Sequence, residues 1–189
     1  MMEKSYLDGK NALMDCIPPE APLPPIWADG TPAVLPITTL LDLFNWYRLN
    51  LCGREIVDPR GYRVSFLDTD FVHLIKLTDK FGKEPKNRRM TIEQIQSGRI
   101  ALNPSRLQLR RAQELSWARP IIESPTMIVP NWQALGRAIP GDAYIKNFGA
   151  KEPIYRILIC GHAGKKRWAV TIFPRERFAD REIATLLWP

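Results

Sequence analysis

Four short segments in the second half of the chain, "TMIVP", "AYIKNF", "YRILIC" and "RWAVTIF", constrain the fold more than any other feature. Each is rich in β-branched and aromatic residues, is too short for an ordinary helix, and is set off by turn residues. Strands that follow one another so closely pair with their sequence neighbours, which predicts an antiparallel meander. The last two are joined by Gly161-His162-Ala163-Gly164-Lys165-Lys166, a glycine-containing hairpin loop. In "RWAVTIF" a period of two puts Trp168, Val170 and Ile172 on one face and Arg167, Ala169 and Thr171 on the other. The same alternation aligns Tyr144 with Lys146 and separates Arg156 from Ile157 and Ile159.

Ahead of the meander the pattern is mostly helical. In "TTLLDLFNWYRLNL", Thr38 to Leu51, residues Leu40, Leu41, Phe44, Tyr47 and Leu51 fall on one stripe, and Gly53 follows as a stop. "REIVD" and "YRVSF" flank Pro59-Arg60-Gly61, a hairpin turn. Asp68 or Thr69 can cap a helix from about Asp70 to Phe81. Thr91 and Gln94 form a capping box for a short helix ending near Gly98. Asn103 and Pro104 open another helix, and a last one spans about Arg175 to Leu187. Between Ile17 and Pro36 prolines cluster, which favours extended backbone: either a docking arm for a protein partner or a linker wrapped on its own domain. The expected architecture is α+β, with N-terminal helices packed on an antiparallel, mostly four-stranded meander. Residues 1–53 form a proline-rich arm plus one helix, and 54–189 the main domain with its C-terminal helix.

The 189 residues are 45% hydrophobic and 25% charged, enough apolar material for one core. The net charge of +7 points to polyanions, nucleic acid first, with solubility alone as the plain alternative. Cys16, Cys52 and Cys160 lie far apart, and the chain has two histidines, so neither a zinc site nor a disulfide framework is expected. This reads as a reduced, cytoplasmic protein with no metal or other cofactor. Met1 to Lys10 carries no apolar signal core, and no apolar run reaches the roughly 20 residues that cross a bilayer. There is no Walker loop, GxSxG elbow, HExxH helix or metal-binding carboxylate cluster, which argues against nucleotide hydrolysis, serine chemistry and metal-dependent phosphodiester cleavage. Lys83, Lys86, Arg88, Arg89, Arg99, Arg106, Arg110 and Arg111 make the middle of the chain its most basic part. Nothing sets the oligomeric state.

On a helical wheel of "DFVHLIKLTDKF", Phe71, Leu74, Ile75, Leu77 and Phe81 cover one broad side. His73, Lys76 and Lys80 share the narrow remainder. An imidazole beside two ammonium groups suits proton abstraction next to a held phosphate; a plain solvated helix face is the alternative. A hydroxyl projecting from the middle of a strand, as from Thr171, can donate to a phosphate oxygen.

Taken in order, "VDPRGYRVSF", the histidine segment "DFVHLIKL", "NPSRLQLRRAQELSWARPIIESPTMIVP", "YIKNFG" and the hairpin "YRILICGHAGKKRWAVTIF" resemble the barnase–EndoU–colicin–RelE group of metal-independent ribonucleases, in its phage-borne branch. The resemblance covers about Arg54 to Phe173 and leaves out the arm and first helix. It implies an RNA-cleaving toxin or effector, with RNA, transfer RNA included, as substrate. His73 matches the helix histidine, Thr171 the strand hydroxyl that contacts phosphate, and Arg119, or else Lys76 or Arg156, the basic transition-state stabiliser. Lys76, Lys80, Tyr144, Lys146 and Arg156 would line the phosphate path. The implied reaction is attack by the RNA 2′-hydroxyl, giving a 2′,3′-cyclic phosphate and a 5′-hydroxyl. A second proton-transfer group is unassigned among His162, Tyr144 and Glu123. A non-catalytic nucleic-acid-binding module, or a phage accessory protein docking through its arm, would share the same charge.

Overall fold

The structure is a computed structural model that describes residues 35, 38–52, 54–79, 82–102, 111–129, 141–149, 155–164 and 166–175. Helix α1 (Leu40–Tyr47) starts at Thr39, whose hydroxyl accepts the Asp42 amide at 3.0 Å while the Asp42 carboxylate accepts the Thr39 amide at 3.1 Å. A π-helical turn, Arg48–Cys52, prolongs it. Leu40, Leu43, Phe44, Tyr47 and Leu51 are buried, and Leu43 rather than Leu41 completes the stripe. Gly53 lies outside the described residues.

Strands β1 (Ile56–Val57) and β2 (Arg63–Ser65) form the expected hairpin around Gly61, which adopts φ +83°. Helix α2 (Asp68–Leu74) is shorter than its wheel suggests. Its start is set at Leu67, whose amide donates to Asp70 at 2.9 Å, not by Asp68 or Thr69. It ends at Lys76, which takes the left-handed φ of 54°: Lys76 N donates to His73 O at 3.1 Å and Leu77 N to Val72 O at 3.0 Å. That bond pair closes a helix, and it swings Leu77 into the core. Lys76 therefore sits on a turn instead of a helical face, while Lys80 and Phe81 fall outside the described residues.

Helix α3 (Arg88–Gln96) is capped by Asn87, whose side chain accepts the Met90 amide at 3.0 Å, so it begins ahead of the expected Thr91. Gly98, at φ +70°, marks its end. Residues 111–114 are helical and run through a 3₁₀ turn (Leu115–Trp117) into α4 (Ala118–Glu123). Then come β3 (Met127–Val129), β4 (Gly141–Asn147), β5 (Tyr155–Ala163) and β6 (Lys166–Arg175). Residues 103–110 and 176–189, with the expected helices there, lie outside the described residues, and β6 already occupies Arg175.

One sheet holds all six strands in the order β1-β2-β6-β5-β4-β3. The antiparallel meander β3-β4-β5-β6 is present, but the sheet is mixed and not a four-stranded antiparallel one: β2 joins β6 in parallel, Val64 beside Arg167 and Ser65 beside Trp168. Pairing with β2 satisfies an edge of β6 that would otherwise stay open. Strands of two and three residues carry too little alternation to reveal such a partner.

The main core lies between helices and sheet. Phe44 and Tyr47 of α1 pack on Phe71 of α2 with ring centroids 5.0 and 5.2 Å apart, and join Val64, Tyr144, Leu158, Cys160, Ala169 and Ile172 from the strands. Helix α1 shares this core with the sheet. Leu35, at the end of the arm, is buried, and both its backbone groups bond to Gln113 (2.7 and 2.9 Å). A second apolar cluster, Val129, Ala143, Ile145, Ile157 and Ile159, occupies the opposite face of the sheet. Among the described residues no helix is long and apolar enough to cross a membrane.

A β-bulge breaks the alternation of β6. Ile159 faces Thr171 but Cys160 faces Ala169, so Val170 is an extra residue. Ile172 and Ala169 point to the helices, and Trp168, Val170 and Thr171 to the other face. A strict period of two fails here because one inserted residue reverses the parity. Lys76→Gly is expected to raise stability by about 1 kcal/mol, because glycine takes the left-handed turn without strain. Lys76→Ala should leave it nearly unchanged; urea denaturation midpoints of the three proteins check this.

Candidate functional site

A buried cluster of charges sits where the β1–β2 turn meets β4 and β6. Asp58 Oδ1 accepts the backbone amides of Arg60 and Tyr62, both at 2.9 Å, which shapes the turn. Its Oδ2 accepts Arg60 Nη2 and the Tyr144 hydroxyl, both at 2.8 Å. Arg60 reaches onward to the Tyr144 oxygen (2.8 Å) and Asp142 (3.1 Å). Arg167 lies 3.5 Å from Asp142 and 4.2 Å beneath the Tyr62 ring. His162, on β5 and not in the hairpin loop, stands 3.8 Å from Asp142.

The two carboxylates and two guanidinium groups cancel formally. Burial alone would weaken the charge on Arg60, but Asp58, Tyr144 and Asp142 outweigh it and bind its proton more tightly. Burial first, then Cys160 and the Asp58 carboxylate, push the Tyr144 phenol well above its ordinary range, so it stays a neutral donor. Electroneutral and largely sealed, the cluster is a clasp between strands and a poor receptor for phosphate. Tyr144, expected on the phosphate path, is committed here.

His73 has a different setting. Its Nδ1 lies 2.7 Å from Glu84 Oε2, and Arg88 Nε donates to Glu84 Oε1 at 2.7 Å. Burial acts to raise the Glu84 carboxyl, but the hydrogen bond and charge of His73, with Arg88, outweigh it and hold it below its ordinary range. The carboxylate thus orients the imidazole through one nitrogen and leaves the other available. Lys76, Lys83 and Lys86, close to this pair in sequence, are exposed, and none has a carboxylate within ion-pair distance of its ammonium group among the described residues.

The other expected site residues lie elsewhere. Arg119 donates to Glu123 on its own helix at 2.7 Å, so both are engaged with each other. Arg156 is 2.9 Å from Glu114 with its guanidinium 4.9 Å from the Trp117 ring, and Trp117 packs edge-on against Phe148. Trp117 is thereby a packed side chain. Lys146 donates to the Ser124 carbonyl and hydroxyl at 2.6 and 2.7 Å, and burial lowers its pKa. Thr171 lies on the sheet face turned away from the helices, so the strand hydroxyl and the His73 imidazole do not share a cleft. Of the expected trio, Thr171 thus stands on the far face of the sheet, while Arg119 is held by Glu123 and His73 by Glu84.

Sequence reasoning missed Glu84, which is one acid among the cations of "KEPKNRR", and the Asp58–Arg60–Asp142–Arg167 clasp. An aspartate opening a Pro-Arg-Gly turn was the available signal for Asp58; nothing local pairs it with residues more than 80 positions away. Comparison with protein-family models, curated proteins and solved structures finds no match.

Asp58→Ala takes one of two carboxylates from Arg60 and the acceptor from the Tyr144 hydroxyl, and is expected to cost about 3 kcal/mol of stability, with Tyr144→Phe costing about 1 kcal/mol, both read by urea denaturation. The depressed Glu84 carboxyl supports the fold above its ordinary pKa of 4.5, and that support is lost as pH falls through the folded value. Acid titration followed by circular dichroism should therefore show a smaller acid-side loss in Glu84→Gln than in the native chain.

Proposed function

We propose that the chain binds nucleic acid through the phosphate backbone, at the basic surface around the His73–Glu84 pair. The single observation behind this reading is how charge is distributed. The buried acids Asp58, Asp142 and Glu114 are each matched to an arginine, whereas Lys76, Lys83 and Lys86 stand exposed, with no carboxylate in ion-pair reach of their ammonium groups among the described residues. In a chain of net charge +7, these exposed ammonium groups draw a polyanion and release its counterions. Binding of this kind sets affinity without reading sequence.

A second reading is favoured by one observation, the 2.7 Å contact between His73 and Glu84. An imidazole oriented by a carboxylate amid cations suits removal of the RNA 2′-hydroxyl proton, in keeping with the resemblance to metal-independent ribonucleases. In that reading Lys76, Lys83 and Lys86 offset the charge on phosphorus, and Thr171 takes no part.

Binding is measured with a fluorescent RNA or DNA oligonucleotide across a salt series. Affinity should fall steeply with salt, and replacing Lys76, Lys83 and Lys86 together by glutamine should flatten the log–log slope by about 2. Salt-insensitive or absent binding contradicts the proposal. Incubating RNA with the protein in EDTA tests the second reading. Cleavage lost in both His73→Ala and Glu84→Gln supports it, and intact RNA removes it while leaving binding untouched.

A further inference from the structure

The sheet face turned away from the helices divides into two halves. One half, Ala143, Ile145 and Ile157, is sealed from water. The other half, at the β1–β2–β6 end, is open. Here the pairing places Val57 beside Arg63 and, by the parallel register of β2 and β6, Arg63 beside Lys166, with Trp168 next along the same strand. Val57 is 38% and Trp168 37% exposed, and both stand among the large apolar residues left in solvent. The Arg63 side chain is 62% exposed and paired with an equally exposed Glu55 at 2.6 Å, a solvated contact that a phosphate can replace.

Trp168 is held in a defined pose. A Cβ built on Gly161 would lie 2.6–2.7 Å from three indole atoms, so the ring lies over the glycine, where no other residue would admit it. The ring is thus braced on one side by backbone and open on the other. Two cations flank it: adjacent strands are about 4.8 Å apart and alternate residues of a strand about 6.7 Å apart, so Arg63, Lys166 and Trp168 fit within the reach of about one nucleotide.

We propose that this patch is a stacking platform for single-stranded nucleic acid, one base lying on the Trp168 indole and its phosphate meeting Lys166 and Arg63. The proposal rests on the nucleic-acid reading given above and adds a second contact area on the opposite side of the sheet. Base faces are hidden in a duplex and free in a single strand, so a flat braced ring selects the single strand. Two cations in the row beside the ring, in a chain of net charge +7, argue for this polyanion over an apolar protein partner.

The test uses the full chain, a labelled 12-mer oligouridylate and a blunt duplex of equal length. Expected are tighter binding of the single strand, a loss of about 5- to 100-fold in Trp168→Ala for the single strand alone, and partial recovery in Trp168→Phe. Intrinsic tryptophan fluorescence gives a second measure: quenching by the oligomer should be smaller in Trp168→Phe, which keeps the other tryptophans. Equal affinity and equal quenching in native and variant proteins overturn the platform while leaving salt-sensitive backbone binding in place. Failure of the native chain to bind any oligonucleotide overturns both. Self-association that depends on Trp168, with oligomer affinity unchanged, assigns the patch to a second copy of the chain and also overturns the proposal.

Discussion

Asp58 is a carboxylate with none of its side chain open to water, and the arrangement of the sheet depends on how it is satisfied. One of its oxygens fixes the β1–β2 turn; the other is shared by Arg60 and Tyr144. Through Arg60 the turn is tied to Asp142 on β4, and through Asp142 to Arg167 on β6. A buried ion cluster of this kind adds little stability over a well-packed apolar equivalent, but leaving any member unpaired is costly. Its effect is therefore selective: the small hairpin joins the sheet where all four charges meet, which places β2 beside β6 in the parallel sense. A slipped register would strand a charge in the core.

That constraint shapes the surface as well. Inside the fold Asp58, Asp142 and Glu114 are matched by Arg60, Arg167 and Arg156, so these groups cancel and the net charge of +7 is carried by the rest of the chain. Around α2 and α3, Glu84 is engaged by both His73 and Arg88, while Lys76, Lys83 and Lys86 stay exposed. Arginine serves in the interior because its planar fork meets several acceptors at once, whereas the exposed Lys76, Lys83 and Lys86 act as hydrated point charges suited to a polyanion's backbone. The open sheet face adds Trp168, braced by Gly161, and extends the interface from charge to aromatic stacking.

Much of the fold was legible from residue pattern. The β-branched runs announced the meander, the Pro-Arg-Gly turn announced the hairpin, and Gly98 announced the end of α3. What escaped was set by contacts between distant residues. The parallel β2–β6 pair rests on two registered positions. Helix α2 stops early because Lys76 accepts a left-handed turn so that Leu77 can be buried, a gain invisible to a helical wheel. The extra residue at Val170 puts Ala169 on the same face as Ile172 and turns Trp168 to the other, which a regular strand would not do. His73 stands out in the sequence by its cationic neighbours, whereas its partner Glu84 is a lone acid among them.

The central claim is that charge neutralised inside leaves two outward surfaces for nucleic acid. Titrating the ¹⁵N-labelled chain with a short single-stranded RNA and following its amide resonances tests this most directly. The account predicts that shifts gather at His73 to Arg88 and at Arg63, Lys166 and Trp168, with Asp58 and Asp142 still. Shifts centred on the Asp58–Asp142 cluster, or none at all, would contradict it.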